Sequence, residues 1–250
     1  MADYSADDVV RIDNHEGVFP ALIVCEHASN YIPNELSKLG LPEHALDTHI
    51  AWDPGALGVA RILSARLDAP LIHATVSRLV IDLNRDPSAV DSIVTVSEDT
   101  PIPGNVGLGD TERERRVRDI YRPFHQTIEE FINRRVAAKS IKAVVSIHSF
   151  TPVYRGQKRP WHLGFIHDTD DNLARRVFSD LSGDLSLVVA LNEPYNPTHG
   201  VYHTLDSHAC RRGLAPLMVE IRNDLIGTAD GEREMAQRLA PAIEAAVRAL

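Results

Sequence analysis

The chain is poor in cysteine, has no surplus of positive charge and contains no long hydrophobic run. Only two cysteines occur, Cys25 and Cys210, with no CxxC pair. A disulfide framework is therefore not expected, and both thiols read as small core residues of a protein kept in a reducing cytoplasm. The 26 Lys and Arg face 35 Asp and Glu, a formal net charge of −9, which argues against nucleic acid or an anionic membrane as the main partner. No run approaches the roughly 20 apolar residues needed to cross a bilayer. The start, Met-Ala-Asp-Tyr-Ser-Ala-Asp-Asp, lacks both a basic and an apolar leader segment, so secretion is not expected and a cytoplasmic location is. The GxSxG, HExxH and P-loop patterns are also missing. Gly104-Asn-Val-Gly107-Leu-Gly109 is glycine-rich but does not match GxGxxG, and reads as a mobile loop.

What remains is an ordinary globular composition, 44% hydrophobic and 24% charged, in 250 residues. That length fits one α/β domain over residues 1–250. Three short apolar runs each break off at a residue able to do metal chemistry. Ala21-Leu-Ile-Val-Cys25 leads into Glu26-His27, Ala143-Val-Val-Ser-Ile147 into His148, and Pro216-Leu-Met-Val219 into Glu220. Such runs read as buried parallel strands, and ligands of open α/β sheets bind beyond the carboxyl ends of those strands.

Further strands are expected at 70–75, 162–166 and 186–190, with the last at 215–221. Helices are expected from Asp53 to Leu67, Thr111 to Ala138, 171–182 and 230–249. Asp53 suits the N-cap of the first, Thr111-Glu-Arg-Glu114 has the form of a capping box, and Pro123 should kink the second. Met235, Leu239, Ile243, Val247 and Leu250 repeat as one apolar stripe along the last helix. Residues 86–110 read as a long surface loop. The alternation of strand and helix predicts a twisted, largely parallel or mixed sheet with helices on both faces.

His27 and His148 are the candidate metal ligands, since each follows a rigid strand end. A catalytic zinc keeps three protein ligands and one water. Asp53, anionic and at the sheet's carboxyl edge, is favoured as the third ligand. Glu26 adjoins His27 but should face away under strand alternation, and the amide of Asn30 is a poor zinc ligand. Glu220 is the candidate proton shuttle. Arg78 and Arg85 flank Leu79-Val-Ile81, suited to an oxyanion and a substrate carboxylate, and Asp82 and Asn84 read as orienting groups. Tyr202, His203 and Arg222 are further candidates for the substrate pocket. Arg113, Arg115, Arg116 and Arg118 are interspersed with acids and read as a solvated helix face.

These residues resemble the N-formylglutamate amidohydrolase family. The likeness rests on Cys25-Glu-His27-Ala-Ser-Asn30, Ala51-Trp-Asp53-Pro-Gly55, Ser77-Arg78-Leu-Val-Ile-Asp82-Leu-Asn84-Arg85, Ser146-Ile-His148-Ser149-Phe-Thr-Pro152 and Val219-Glu220-Ile-Arg222. The chain differs from the better characterised branch in reading Glu26-His27-Ala28-Ser29 where that branch has Pro-His-Ala-Gly. The resemblance implies a fold like that of the zinc carboxypeptidases and one Zn2+ per chain, bound by His27 and His148. It also implies a small N-acyl amino acid, typically N-formylglutamate, as substrate, with Glu220 as base and arginines holding a carboxylate. From the residues themselves, Arg78 joins Glu220 as catalytic and Arg85, Arg222, Tyr202 and Asn84 form the substrate-binding set, with the division of oxyanion and carboxylate between Arg78 and Arg85 left open. Rival readings are a deacylase or carboxypeptidase on another amide, and a non-catalytic sensor on the same fold.

Overall fold

The computed structural model describes residues 9–250; the acidic start read above for a leader lies outside the described residues. One sheet of seven strands forms the centre. In chain order the strands are β1 (Val10–Asp13), β2 (Ala21–Cys25), β3 (Leu71–Ala74), β4 (Ala143–Phe150), β5 (Leu163–Ile166), β6 (Val189–Leu191) and β7 (Ala215–Arg222). Their spatial order is β1-β3-β2-β4-β7-β5-β6. β3, β2, β4 and β7 run parallel in succession. β1 joins β3 antiparallel, and the β5–β6 pair reverses direction against β7. The sheet is therefore mixed, with a parallel centre.

Alternation along the strands divides the core. Ile23, Val145, Leu217 and Val219 point to one face, where helices α1 (Ala56–Leu67), α4 (Asn172–Leu181) and α6 (Ala229–Arg248) cover them. On α6 the predicted stripe is buried from Met235 to Val247, and Leu250 ends it at 39% exposure. Leu22, Val24, Val144 and Met218 point to the other face. There α3 (Arg122–Ala137) packs with Phe124, Ile128 and Phe131, and α5 (His203–His208) with Leu205. Long irregular segments complete this second face, and they leave room for a cavity.

Several local expectations are corrected. The 111–138 helix is broken into α2 (Asp110–Arg116), a π-helical turn (Val117–Tyr121) and α3. Pro123 lacks an N–H, so the i→i−4 ladder cannot run through it, and the wide turn just before it accommodates the break. Gly109, not Thr111, is the N-cap of α2, and no side chain caps it. Asp53 does not cap α1, whose N-cap is Gly55 in the left-handed region. A Cβ on Gly55 would lie 2.2 Å from the Ile226 carbonyl oxygen, so the position admits only glycine. The segment Leu79-Val-Ile81, strand-like in its apolar content, is buried but runs through a turn and is not a strand. Arg116 is 2% exposed and leaves the solvated face assigned to it. Cys25 is buried, whereas Cys210 is exposed and not a core thiol.

Candidate metal centre and its cavity

β2 and β4 end side by side at the carboxyl edge of the parallel centre. β4 and β7 are in register there, with Glu220 opposite His148. Both side chains project to the second face, in phase with Val144 and Met218. β2 stops at Cys25 and the chain turns, so Glu26 and His27 escape strand alternation and both enter the site. The loop carrying Asp53 is tied down by its own N–H, which donates to the His27 carbonyl oxygen at 2.9 Å.

His27, Asp53 and His148 converge so that one ligand atom from each lies within 4.8 Å of the others, and all three are buried. Asp53 Oδ2 sits 2.7 Å from His148 Nδ1 and 3.4 Å from His27 Nδ1. The far side of each imidazole faces a different carboxylate. His27 Nε2 is 2.7 Å from Asp82 Oδ1, and His148 Nε2 is 3.2 Å from Glu26 Oε2. A carboxylate behind a ligating histidine fixes its tautomer and raises its basicity. Glu26 is itself held by the Ser146 hydroxyl, which donates to Oε2 at 2.8 Å.

The donor set fits a divalent cation. With Nε2–H of His27 donated to Asp82, its Nδ1 is either a bare lone pair facing the Asp53 carboxylate or carries a second proton. Nδ1 has no hydrogen-bond partner, and neither has Glu220 Oε2. Glu26, Asp53, Asp82 and Glu220 bring four buried carboxyl groups together, with Arg78 as the adjacent guanidinium. Such a concentration of negative charge is costly away from water unless a cation answers it.

The carboxyl groups are held apart electrostatically. Burial pushes Glu26 up, but His148, His27 and the Ser146 hydroxyl prevail and bring it down to about 2. Asp53 and Asp82 are likewise held below the usual carboxylate range against burial, Asp53 by the two histidines and Asp82 by His27 and Arg78. Glu220 goes the other way. Burial raises it to about 7, assisted by the Asp53 carboxylate and opposed by His148, His27 and Arg78.

Above the cluster opens a cavity of about 460 Å³ that includes Arg78, Asn84, Arg85 and Glu220 in its wall. Arg78 donates to Asp82 Oδ2 at 2.7 Å and lies 3.4 Å from Asp53 Oδ1. Arg85 donates to Asp91 Oδ2 at 2.9 Å and to the Gly200 carbonyl oxygen at 2.7 Å. Asn84 is buried and spends its amide on the Val201 carbonyl and the Thr204 N–H, so it ties two cavity walls together. Three expected pocket residues lie elsewhere. Tyr202 is 5% exposed and packs into the second core. Arg222 turns outward to Asp224 and to the carbonyl oxygens of Arg159 and Pro160. His203 meets the Tyr121 hydroxyl away from the cavity wall. Asn30 donates to the Leu46 carbonyl oxygen and is not part of the cluster.

Sequence reasoning missed Tyr154, Arg159 and Tyr195, which complete the wall with Pro194. They come from the hairpin after β4 and the segment after β6, and no sequence spacing links them.

The profile of the N-formylglutamate amidohydrolase family matches residues 19–227. The chain belongs to this family. Among solved structures it is similar to the gene product Atu2144 from Agrobacterium tumefaciens, at 41% identity and a TM-score of 0.96, covering 99% of each chain. It is also similar in fold to the N-formylglutamate amidohydrolase from Ralstonia eutropha JMP134, at 18% identity and a TM-score of 0.62, covering 97% of this chain and 100% of that one. No curated protein matches the chain. No helix among the described residues is long and apolar enough to cross a membrane.

Proposed function

We propose that the protein is a zinc-dependent amidohydrolase that removes a small acyl group, preferably formyl, from an N-acyl amino acid. The observation that carries this reading is the buried His27–Asp53–His148 cluster with Glu220 beside it, opening into a cavity sized for a small molecule. His27, Asp53 and His148 would hold the ion, whose chemistry is Lewis acidity toward the acyl carbonyl and a lowered pKa for water. Glu220 accepts a proton as water adds to the acyl carbon. It returns that proton to the amide nitrogen as the C–N bond breaks, releasing the acid and the free amine. A carboxyl group raised to about 7 suits both halves of that transfer.

Arg78 stands between the cluster and the cavity, placed to meet the developing oxyanion while Asp82 holds its other edge. Arg85 is the proposed grip on the substrate α-carboxylate. The decisive experiment is a hydrolysis screen of N-formyl, N-acetyl and N-succinyl amino acids with zinc-reconstituted protein, alongside elemental analysis. Close to one zinc per chain and fastest release from N-formyl substrates is the expected result. Stoichiometric zinc with no hydrolysis of any amide would favour a binding protein on the same fold.

A further inference from the structure

A second cavity, of about 430 Å³, opens beside the loop that follows Arg85, between Pro87 and the run of α2, the π-helical turn and the start of α3. Its wall holds charges of both signs, Asp110 and Glu114 with Arg113, Arg118 and Arg122. Arg118 donates to both oxygens of Asp119, at 2.6 and 2.8 Å. Asp110, Arg113, Glu114 and Arg122 make no ion pair among the described residues. Yet Asp110 and Arg113 stand at i,i+3, and Glu114 and Arg118 at i,i+4, spacings at which helical ion pairs form readily. The π-helical turn shapes this face. Along an uninterrupted α-helix Arg122 would sit roughly 120° around from Asp110. The turn at Val117–Tyr121 is wider by about one residue, which brings Arg122 back toward the line of Asp110 and Glu114.

The second cavity and the metal centre share one loop. Asp82, which backs His27, donates its N–H to the Ser92 carbonyl oxygen at 2.7 Å. The Ser92 hydroxyl accepts from Arg113 at 3.4 Å and donates within its own turn to the Ala89 carbonyl oxygen at 2.8 Å. Asp91, the neighbour of Ser92, holds Arg85. A ligand that draws Arg113 into the second cavity therefore pulls on the residues that orient His27 and Arg85. Unpaired cations and unpaired anions in the wall of one small cavity suit a ligand that carries both charges.

We propose that this second cavity binds a free α-amino acid, its carboxylate against Arg113 and Arg122 and its ammonium against Asp110 and Glu114. Occupancy would slow turnover through the Arg113–Ser92 contact. On the amidohydrolase reading above, the ligand belongs to the class of the reaction's own product, and the cavity would restrain the enzyme as product accumulates. That regulatory meaning rests on the amidohydrolase reading; the binding of the amino acid does not.

The test titrates isotope-labelled, zinc-loaded protein with L-glutamate and follows the backbone amides by NMR. Amides of residues 110–122 should shift together, with a dissociation constant of about 1–10 mM, the range of a few exposed charge contacts. Arg122→Gln and Glu114→Gln should each weaken that binding about 3- to 10-fold, with kcat/KM unchanged when no product is added. N-acetyl-L-glutamate, which lacks the ammonium, and methylammonium, which lacks the carboxylate, should leave these amides in place at the same concentrations. Glutamate should also lower kcat at saturating N-formylglutamate in wild type, and less so in Arg122→Gln. Unmoved 110–122 amides at about 50 mM glutamate, equal shifts with N-acetyl-L-glutamate, or wild-type affinity in both variants would each overturn the site. Binding with kcat unaffected would overturn the link through Ser92. If no N-acyl amino acid is hydrolysed yet these amides shift and the variants weaken the shift, the amidohydrolase reading fails and the site stands.

Discussion

Glu26 and Glu220 flank His148 as two buried glutamates with opposite electrostatic fates. Glu26 is drawn down to about 2 by His148, His27 and the Ser146 hydroxyl against the pull of burial, whereas burial leaves Glu220 at about 7. Carboxyl groups pushed apart in this way suit different tasks, one a fixed charge and the other a proton carrier. On the proposed function, Glu220→Gln reconstituted with zinc should therefore hold the metal as wild type does and lose about two to four orders of magnitude in kcat. Loss of zinc in that variant, by elemental analysis, would instead make Glu220 a ligand. Glu26→Gln should stay active but release zinc to a chelator with roughly 10- to 100-fold weaker affinity, since it backs a histidine rather than touching substrate. Unchanged zinc affinity would show that the His148–Glu26 approach does no work. His27, His148 and Glu220 were legible because strand ends in an open α/β sheet converge. Glu26 was misread because the alternation that should turn it away applies only within a strand, and β2 stops one residue earlier. Arg159 left no trace in the sequence, because Tyr195 meets the hairpin that carries Tyr154 and Arg159 only once two distant segments fold together.

At the level of elements, apolar content proved a better guide to burial than to backbone shape. The stretch from Leu79 to Leu83 is buried as expected, yet it is a turn-rich loop whose polar groups are satisfied by side chains. Arg116 supplies much of that support. It donates to the Val80 carbonyl oxygen at 2.9 Å and to Asn105 Oδ1 at 2.7 Å, and pairs with Glu112 at 3.0 Å. Charge alternation along a helix cannot reveal which of several arginines turns inward, since that depends on the loop it meets. Arg116→Met leaves a buried carbonyl and a buried amide oxygen with fewer partners, and should cost about 1–3 kcal/mol in urea unfolding. It should also slow the enzyme, because Arg78, Asp82 and Arg85 all sit on the supported loop. Normal stability together with normal kinetics would remove Arg116 from this role.

For the molecule as a whole, the sheet centre and the strands expected at 162–166 and 186–190 were readable, whereas the β1 edge and the direction of β5 were not. The four central parallel strands are apolar runs, whereas β1 is short, half exposed and lies in a polar lead that looked irregular. Reversal at β5 is likewise invisible to periodicity, which carries no direction. A pH dependence of stability also emerges only from the assembled fold. His125 and His208 meet under α3 and α5, with Nδ1 of the first 2.8 Å from Nε2 of the second. Burial holds their conjugate acids down, His125 to about 4 and His208 to about 3. Unfolded histidine titrates near 6.5, so between these values the folded chain binds fewer protons than the unfolded one. Their contribution is thus complete above about pH 6.5 and is lost as pH falls toward 4 and then 3. Urea unfolding at pH 7, 6 and 5 should show declining stability, with a shallower decline in His208→Leu despite its lower starting value. Parallel slopes in the two proteins would assign the acid sensitivity elsewhere.

Gly164 on β5 gives the two sides of the cavity different freedom to change. A Cβ there would lie 1.7 Å from the Glu193 carbonyl oxygen, so the segment bearing Pro194 and Tyr195 is clamped directly onto the sheet backbone. Gly164→Ala should force that segment outward, raising KM while leaving zinc content intact. The metal-centre residues, by contrast, sit on or beside the central strands: His148 and Glu220 on β4 and β7, and His27 just beyond β2. The enzyme is in this sense built as a fixed tool with an exchangeable grip. Substitutions after β6 and around Arg159 should therefore shift which substrate is held, and leave the His27–Asp53–His148 cluster in place.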